Sequence, residues 1–404
     1  MKRLIVCCDG TWNSLEKSPT NVVKLAQACR TVASNGIRQL IYYDEGLGTS
    51  RYKIDTFFGG AFGWGIDKNI QEAYRFLCLN YEDGDEIYLY GFSRGAYTIR
   101  SLAGMMYCSG LLKREHLDHV DDAYQLYRNP KTRPNSDSQS DTSNPDESTT
   151  DASLLSAPEF RQNYSRDFQI TLLGCWDTVG ALGIPQVIGW IPINEIVNRK
   201  YKFHDVKVNR KVQHALHAIA IDERRLAFDV SRMQPSDGAD TRIQEVWFPG
   251  NHGAVGGGTP ETQGLSDATL EWMITESKGV GLEFNDDWLK QILKPQCDVE
   301  FSNGLGIYAL AGPNDRTMET RAEYIEAAIE ARWQEEQQKK AEGTEPTQSQ
   351  EDIVALIRKG YENYTVSLHS SVRDRYQKLE KYRTRIKRRK NIADAYRQEL
   401  QSQI

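Results

Sequence analysis

DEIYLYGFSRGAYTIRSL, residues 85–102, decides how the rest of the chain is read. Mostly apolar residues run into a serine held between two glycines, and a helical pattern begins immediately behind it. Gly91-Phe92-Ser93-Arg94-Gly95 fits G-x-S-x-G. So short a pattern also arises by chance, and a serine there can simply cap the helix that follows. The setting carries more weight: after a strand and before a helix, the glycines allow a sharp turn that leaves the hydroxyl exposed at the helix N-terminus. The expectation is a nucleophile elbow, with Ser93 as nucleophile and the Arg94 backbone amide as one oxyanion donor.

Around this stretch, strand-like and helix-like segments alternate through residues 1–125: RLIVCCD, TNVVKLAQACRTVA, RQLIYYDEG, NIQEAYRFLCLNY, EIYLYGF and GAYTIRSLAGMMYCSGLL. Near-continuous apolar strands in alternation with helices predict an α/β fold, a mostly parallel sheet with helices on both faces. In such sheets ligands bind at the loops after the strands. DFQITLLGCWDT and IQEVWFPG continue the strand pattern, and KVQHALHAIAIDERRLAF is expected as a helix. Residues 129–157, almost without large apolar side chains until their end, are expected as a disordered insertion. A second polar interruption falls at 334–352.

The chain has 404 residues, 39% hydrophobic and 10% aromatic, enough for a substantial core in one large or two ordinary domains. A net charge of -6 argues against a general nucleic-acid binder. MKRLIVCCDG lacks the apolar length of a signal peptide, and no run approaches the roughly 18 apolar residues of a spanning helix. Seven scattered cysteines fit reduced thiols better than a disulfide framework or a zinc site, so the expected location is cytoplasmic.

A serine hydroxyl needs a general base, usually a histidine oriented by a carboxylate, and on this type of sheet the chain order is serine, acid, histidine. Asp177, ending the strand ITLLGCW, is the candidate acid, against an Asx-turn or cap role. Of seven histidines, His252 in PGNHGAVGGG follows a strand and is the candidate base, with His369 in reserve. His214 and His217 sit in an apolar pattern, His116 and His119 in a charged one, and His204 has no glycine loop nearby. The loop CCDGTWN offers the amides of Gly10 and Thr11 as further oxyanion donors, with Asp9 holding the loop. An aspartyl-phosphate reading of that loop fails because Cys7 stands where the nucleophilic aspartate belongs.

Residues 59–65, GGAFGWG, fit neither G-x-G-x-x-G nor the Walker pattern. Phe62 and Trp64 there are candidate substrate-binding residues on an apolar rim, against a plain packing loop. No cofactor and no metal is expected. From Arg373 to Lys390 there are ten Lys or Arg against two Asp or Glu, with Val372, Tyr376, Leu379 and Ile386 at helical spacing. This reads as an amphipathic helix docked on the body, or one attracted to an anionic membrane surface.

Together CDGTWN, YYDEGLGT, GDEIYLYGFSRGAYTIRSLAG, GCWDTVGALG, AIAIDERR, EVWFPGNHGAVGGG with LSDATLEWM, and LHSSVRDRYQKLEKYR resemble the DUF2235 family, α/β-hydrolase-like proteins that include the Tle1 phospholipase effectors of type VI secretion. The resemblance implies one hydrolase domain over residues 1–392, with a C-terminal helix end at 393–404. It also implies Ser93, Asp177 and His252 as catalytic residues and a lipid or small ester as substrate. In the histidine loop Ala254 stands where the family usually carries aspartate. The expected activity is that of a serine esterase or phospholipase; the alternative is a catalytically weak module for partner or membrane binding.

Overall fold

The computed structural model describes residues 1–10, 19–46, 61–129, 155–180, 207–302, 304, 313–341 and 348–402, without the side chains of 61–64 and 227. Seven strands form its main sheet: β1 (Arg3–Cys8), β2 (Gln39–Asp44), β3 (Glu86–Phe92), β4 (Ile170–Trp176), β5 (Val212–Ala220), β6 (Arg242–Phe248) and β7 (Tyr364–Leu368). Their order is β2-β1-β3-β4-β5-β6-β7, and every neighbouring pair is parallel. All strands therefore end at one edge. The order reverses at β1, so the loops after β1 and β3 flank a topological switch point, where open α/β sheets form their crevices.

Strand β1 shows why the sequence folds this way. RLIVCC is buried at all six positions, as expected of a parallel strand covered on both sides. Leu4, Val6 and Cys8 face a core shared with Ile70, Tyr74 and Leu77 of α2 (Ala61–Asn80) and Ile99, Leu102 and Met106 of α3 (Arg94–Ser109). Ile5 and Cys7 face the opposite core, with Val22 and Leu25 of α1 (Asn21–Ala28) and the later helix at Gln263–Gly279. Each large side chain so buried contributes roughly 1.5–3 kcal/mol.

The remaining helices are α4 (Val120–Arg128), α5 (Ala157–Tyr164), α6 (His252–Gly256), α7 (Gln263–Gly279), α8 (Asp286–Ile292), α9 (Arg321–Ala341), α10 (Gln350–Gly360), α11 (Ser370–Lys378), α12 (Glu380–Arg388) and α13 (Asp394–Gln401). A third core joins Ile219, Trp247 and Leu368 of the sheet to Val372, Tyr376, Tyr382, Ile386 and Tyr396 of the last three helices.

Two expectations need correction. The segment KVQHALHAIA is strand β5, not helix. Buried between β4 and β6, it shows an apolar run rather than an alternation, and such a run carries no period that separates strand from helix. The basic stretch is two helices broken at Leu379, whose φ of -109° and ψ of 105° are extended. Helix α9 also continues to Ala341, into the first part of the expected polar interruption. The insertion expected at 129–157 lies almost wholly outside the described residues.

Candidate active site

Ser93 leaves β3 with φ 57° and ψ -118°. Positive φ at a non-glycine residue costs about 1–3 kcal/mol and persists only where surroundings enforce it. Here the two motif glycines permit the enforcement. A Cβ on Gly91 would lie 2.4 Å from the Gly95 carbonyl oxygen, and one on Gly95 would lie 2.0 Å from the Cys8 carbonyl oxygen. The Ser93 amide donates to the Trp176 carbonyl at 3.0 Å, fixing the turn against β4. The Arg94 amide belongs to the first residue of α3.

His252 opens α6 after β6, and Asp177 follows β4. His252 Nε2 lies 2.8 Å from Ser93 Oγ, and Nδ1 lies 2.6 Å from Asp177 Oδ2. The three side chains are buried, Asp177 completely. Asp177 itself has φ 41°, which turns its carboxylate from the strand toward the histidine. Burial pushes the Asp177 carboxyl up, but the Arg316 guanidinium and His252 outweigh it and hold the carboxyl well below the usual range. An ionised Asp177 can only accept, so Nδ1 carries the imidazole proton and Nε2 offers its lone pair to the serine hydroxyl. That is the arrangement for general-base activation of a serine.

Arg316 escaped the sequence reading. Nη1 and Nη2 donate to Asp177 Oδ1 at 2.6 Å and Oδ2 at 3.0 Å, and to the carbonyls of Ala220 and Phe228 at 2.8 and 2.5 Å. The Ala220 amide adds a bond to Asp177 Oδ1 at 2.9 Å. Arg316 lies beyond the recognisable motifs, in a segment without periodicity, so no local signal marked it. Glu223 and Asp222 were also passed over, although both stand inside the quoted AIAIDERR. Glu223 Oε2 accepts the His252 amide at 3.1 Å, and Asp222 Oδ2 accepts the Gly250 amide at 2.8 Å.

The histidine loop is packed as tightly as the elbow. The His252 ring packs against both Phe92 and Phe228, with centroids at 4.6 and 4.9 Å. A Cβ on Gly256 would lie 2.0 Å from the Phe92 ring, so glycine is required there. Ala254 is fully buried, and its amide donates to the Asn251 side chain at 3.1 Å. The loop is thus capped by Asn251 without the aspartate usual in the resembling family.

Around the first loop, Asp9 Oδ2 accepts from Thr20 Oγ1 at 2.6 Å and the Tyr43 hydroxyl at 2.9 Å. The Gly10 amide, expected among the oxyanion donors, donates instead to Asp9 Oδ1 at 2.6 Å, because the carboxylate folds back over its own loop. Thr11 lies outside the described residues, and Phe62 and Trp64 fall in the first turns of α2, where side chains are not described. The other described histidines make different contacts. His369 stacks on Phe248 at 4.3 Å, and His116 and His119 pack on Tyr164. His214 lies in β5 beside Leu172 of β4. His204 is outside the described residues. His217 is buried, with Nδ1 2.9 Å from Glu245 Oε1, and its Nε2 accepts the Thr178 amide at 3.1 Å. Among the described residues no group of three or more His, Cys, Asp or Glu is placed to hold a metal ion, and no helix is long and apolar enough to cross a membrane.

Fold and site define an α/β protein of hydrolase-like type, with an all-parallel seven-stranded sheet carrying serine, histidine and aspartate on the loops at its carboxyl edge. Residues 2–276 match the model of the T6SS phospholipase effector Tle1-like catalytic domain, and the chain belongs to that family. It is 30% identical over 243 residues to Uncharacterized protein YEL023C of Saccharomyces cerevisiae, covering 56% of this chain but only 32% of that protein's length. Among solved structures, an uncharacterized protein from Pseudomonas aeruginosa aligns with TM-score 0.38 and 17% identity over 74% of this chain and 49% of its own. The Tle1 effector bound to the VgrG spike from the type VI secretion system aligns with TM-score 0.33 and 16% identity, over 64% and 51%.

Proposed function

We propose that this protein is a serine hydrolase that cleaves carboxylic esters through an acyl-enzyme, with lipid or phospholipid acyl esters as its substrates. The observation that carries the reading is the unbroken chain from Ser93 Oγ to His252 Nε2 at 2.8 Å and from Nδ1 to Asp177 Oδ2 at 2.6 Å, built on a strained elbow. Membership of a phospholipase effector family supports the lipid class of substrate.

In this mechanism His252 takes the Ser93 proton as Oγ attacks the ester carbonyl. Asp177, kept ionised by Arg316, stabilises the imidazolium without accepting the proton. The tetrahedral oxyanion is met by the Arg94 amide at the N-terminus of α3. The imidazolium then protonates the leaving alcohol, and water activated by the same histidine releases the acid. The cysteines are all free thiols and six of the seven are buried, which fits action in a reducing compartment such as the cytoplasm.

The test is labelling by a fluorophosphonate probe, read by intact mass on wild type, Ser93→Ala and His252→Ala. One adduct on wild type and none on either variant is the expected result, followed by release of fatty acid from phospholipid. An unlabelled wild type would remove the activated serine from the reading.

A further inference from the structure

An open cleft of about 790 Å³ lies between α12, the segment after it, and Arg224 and Asp315, and Ser93, His252 and Asp177 are not among its lining residues. Its size is that of a small-molecule site. Six cations line it: Arg224, Lys381, Arg385, Arg388, Arg389 and Lys390. Against them stand two carboxylates, Asp315 and Glu380.

Part of this charge has internal work. Arg224 pairs with Asp315 at 3.1 Å, and Arg385 reaches outside the lining to Asp222 at 2.6 Å. Arg389 is buried and donates to the carbonyls of Ile221 and Arg316 at 2.8 and 2.6 Å. Lys381, Arg388 and Lys390 are exposed and form no ion pair among the described residues. A basic last turn complements the dipole of a helix, which accounts for Arg388. It does not account for Lys381, in the first turn of α12 where the dipole opposes a cation, or for Lys390 beyond its end. Several cations held around one concavity repel one another, and a multivalent anion relieves that repulsion while gaining charge-assisted hydrogen bonds.

We infer that this cleft is a binding site for a phosphate-bearing anion, either a free polyphosphorylated small molecule or the headgroup of an acidic phospholipid. Lys381, Arg388 and Lys390 supply the charge that meets the phosphates, and Arg385 and Arg389 form the ordered inner wall. That wall adjoins the active site, because Arg389 holds the backbone of the same Arg316 that grips Asp177.

The experiment compares the full chain with the double variant Arg388→Glu/Lys390→Glu and with Lys359→Glu, an exposed charge reversal on α10. Inorganic pyrophosphate is titrated by calorimetry, and sedimentation is measured with phosphatidylcholine vesicles with and without phosphatidic acid. The double variant should lose about tenfold or more in affinity for whichever probe binds, while Lys359→Glu behaves as wild type. Pyrophosphate binding alone assigns the site to a soluble anion; binding only to phosphatidic acid vesicles assigns it to a lipid headgroup. Wild type that binds neither probe, or equal binding by all three proteins, overturns the inference. Fluorophosphonate labelling of Ser93 should be unchanged in the double variant, so this site and the hydrolase reading stand or fall separately.

Discussion

At the scale of the residue, Arg316 decides how the Ser–His–Asp chain behaves. A buried carboxylate facing a single histidine tends to take up a proton, whereas the bidentate guanidinium keeps Asp177 ionised and fixes both its oxygens. Removing one member of a buried ion pair costs about 3–5 kcal/mol. Arg316→Met is therefore expected to lower stability by about that amount in urea denaturation. It should also shift the acid limb of the kcat/KM profile to higher pH, because Asp177 then protonates more readily. An unmoved acid limb would make Arg316 purely structural. Ser93→Ala should lower turnover by roughly a thousandfold or more with the urea midpoint little changed, since alanine keeps the Cβ and the strained turn and removes only the hydroxyl. Near wild-type turnover would rule out Ser93 as nucleophile.

At the scale of the element, the elbow is made by contact between backbones. Gly95 lets α3 approach the end of β1 until no Cβ fits against the Cys8 carbonyl. Gly95→Ala must push α3 away from β1 and carry Ser93 from His252. Overpacking of this kind costs about 1–3 kcal/mol, and a displacement of even 1 Å breaks a 2.8 Å hydrogen bond. The expected outcome is a folded protein, by circular dichroism, with fluorophosphonate labelling slowed by about a hundredfold. Labelling at the wild-type rate would show that the close approach is dispensable. Gly256 plays the matching part on the other side, where the Phe92 ring occupies the space a side chain would need.

At the scale of the whole molecule, buried titratable groups set the response to acid. Burial pushes the imidazoles of His217 and His369 down, His369 to about 4. Below about 6.5, the ordinary histidine value, the unfolded chain takes up protons that these native residues refuse, so stability falls with pH. Asp177 and Glu245 act lower. For both, burial raises the carboxyl, but Arg316 and His252 on one and Arg232, His217 and Tyr364 on the other hold it down. Their contribution is present above the unfolded carboxylate values and is lost as pH falls below about 4. Urea midpoints should thus decline from about pH 6.5 downward, less steeply in His369→Gln, and drop again below about pH 4. A midpoint constant between neutrality and pH 5 would contradict this account. By itself the sequence determined the α/β alternation, the elbow at Ser93, and Asp177 and His252 as residues on loops after strands, because strand ends and glycine turns are set by neighbours in the chain. Only the tertiary structure decided that KVQHALHAIA is a strand, since burial on both faces erases the period that would distinguish it. Tertiary structure alone also brought Arg316 onto Asp177 across 139 residues and turned the Gly10 amide toward Asp9. A bond of such long range leaves no mark on local spacing, because the partners meet only once the sheet has aligned its strand ends.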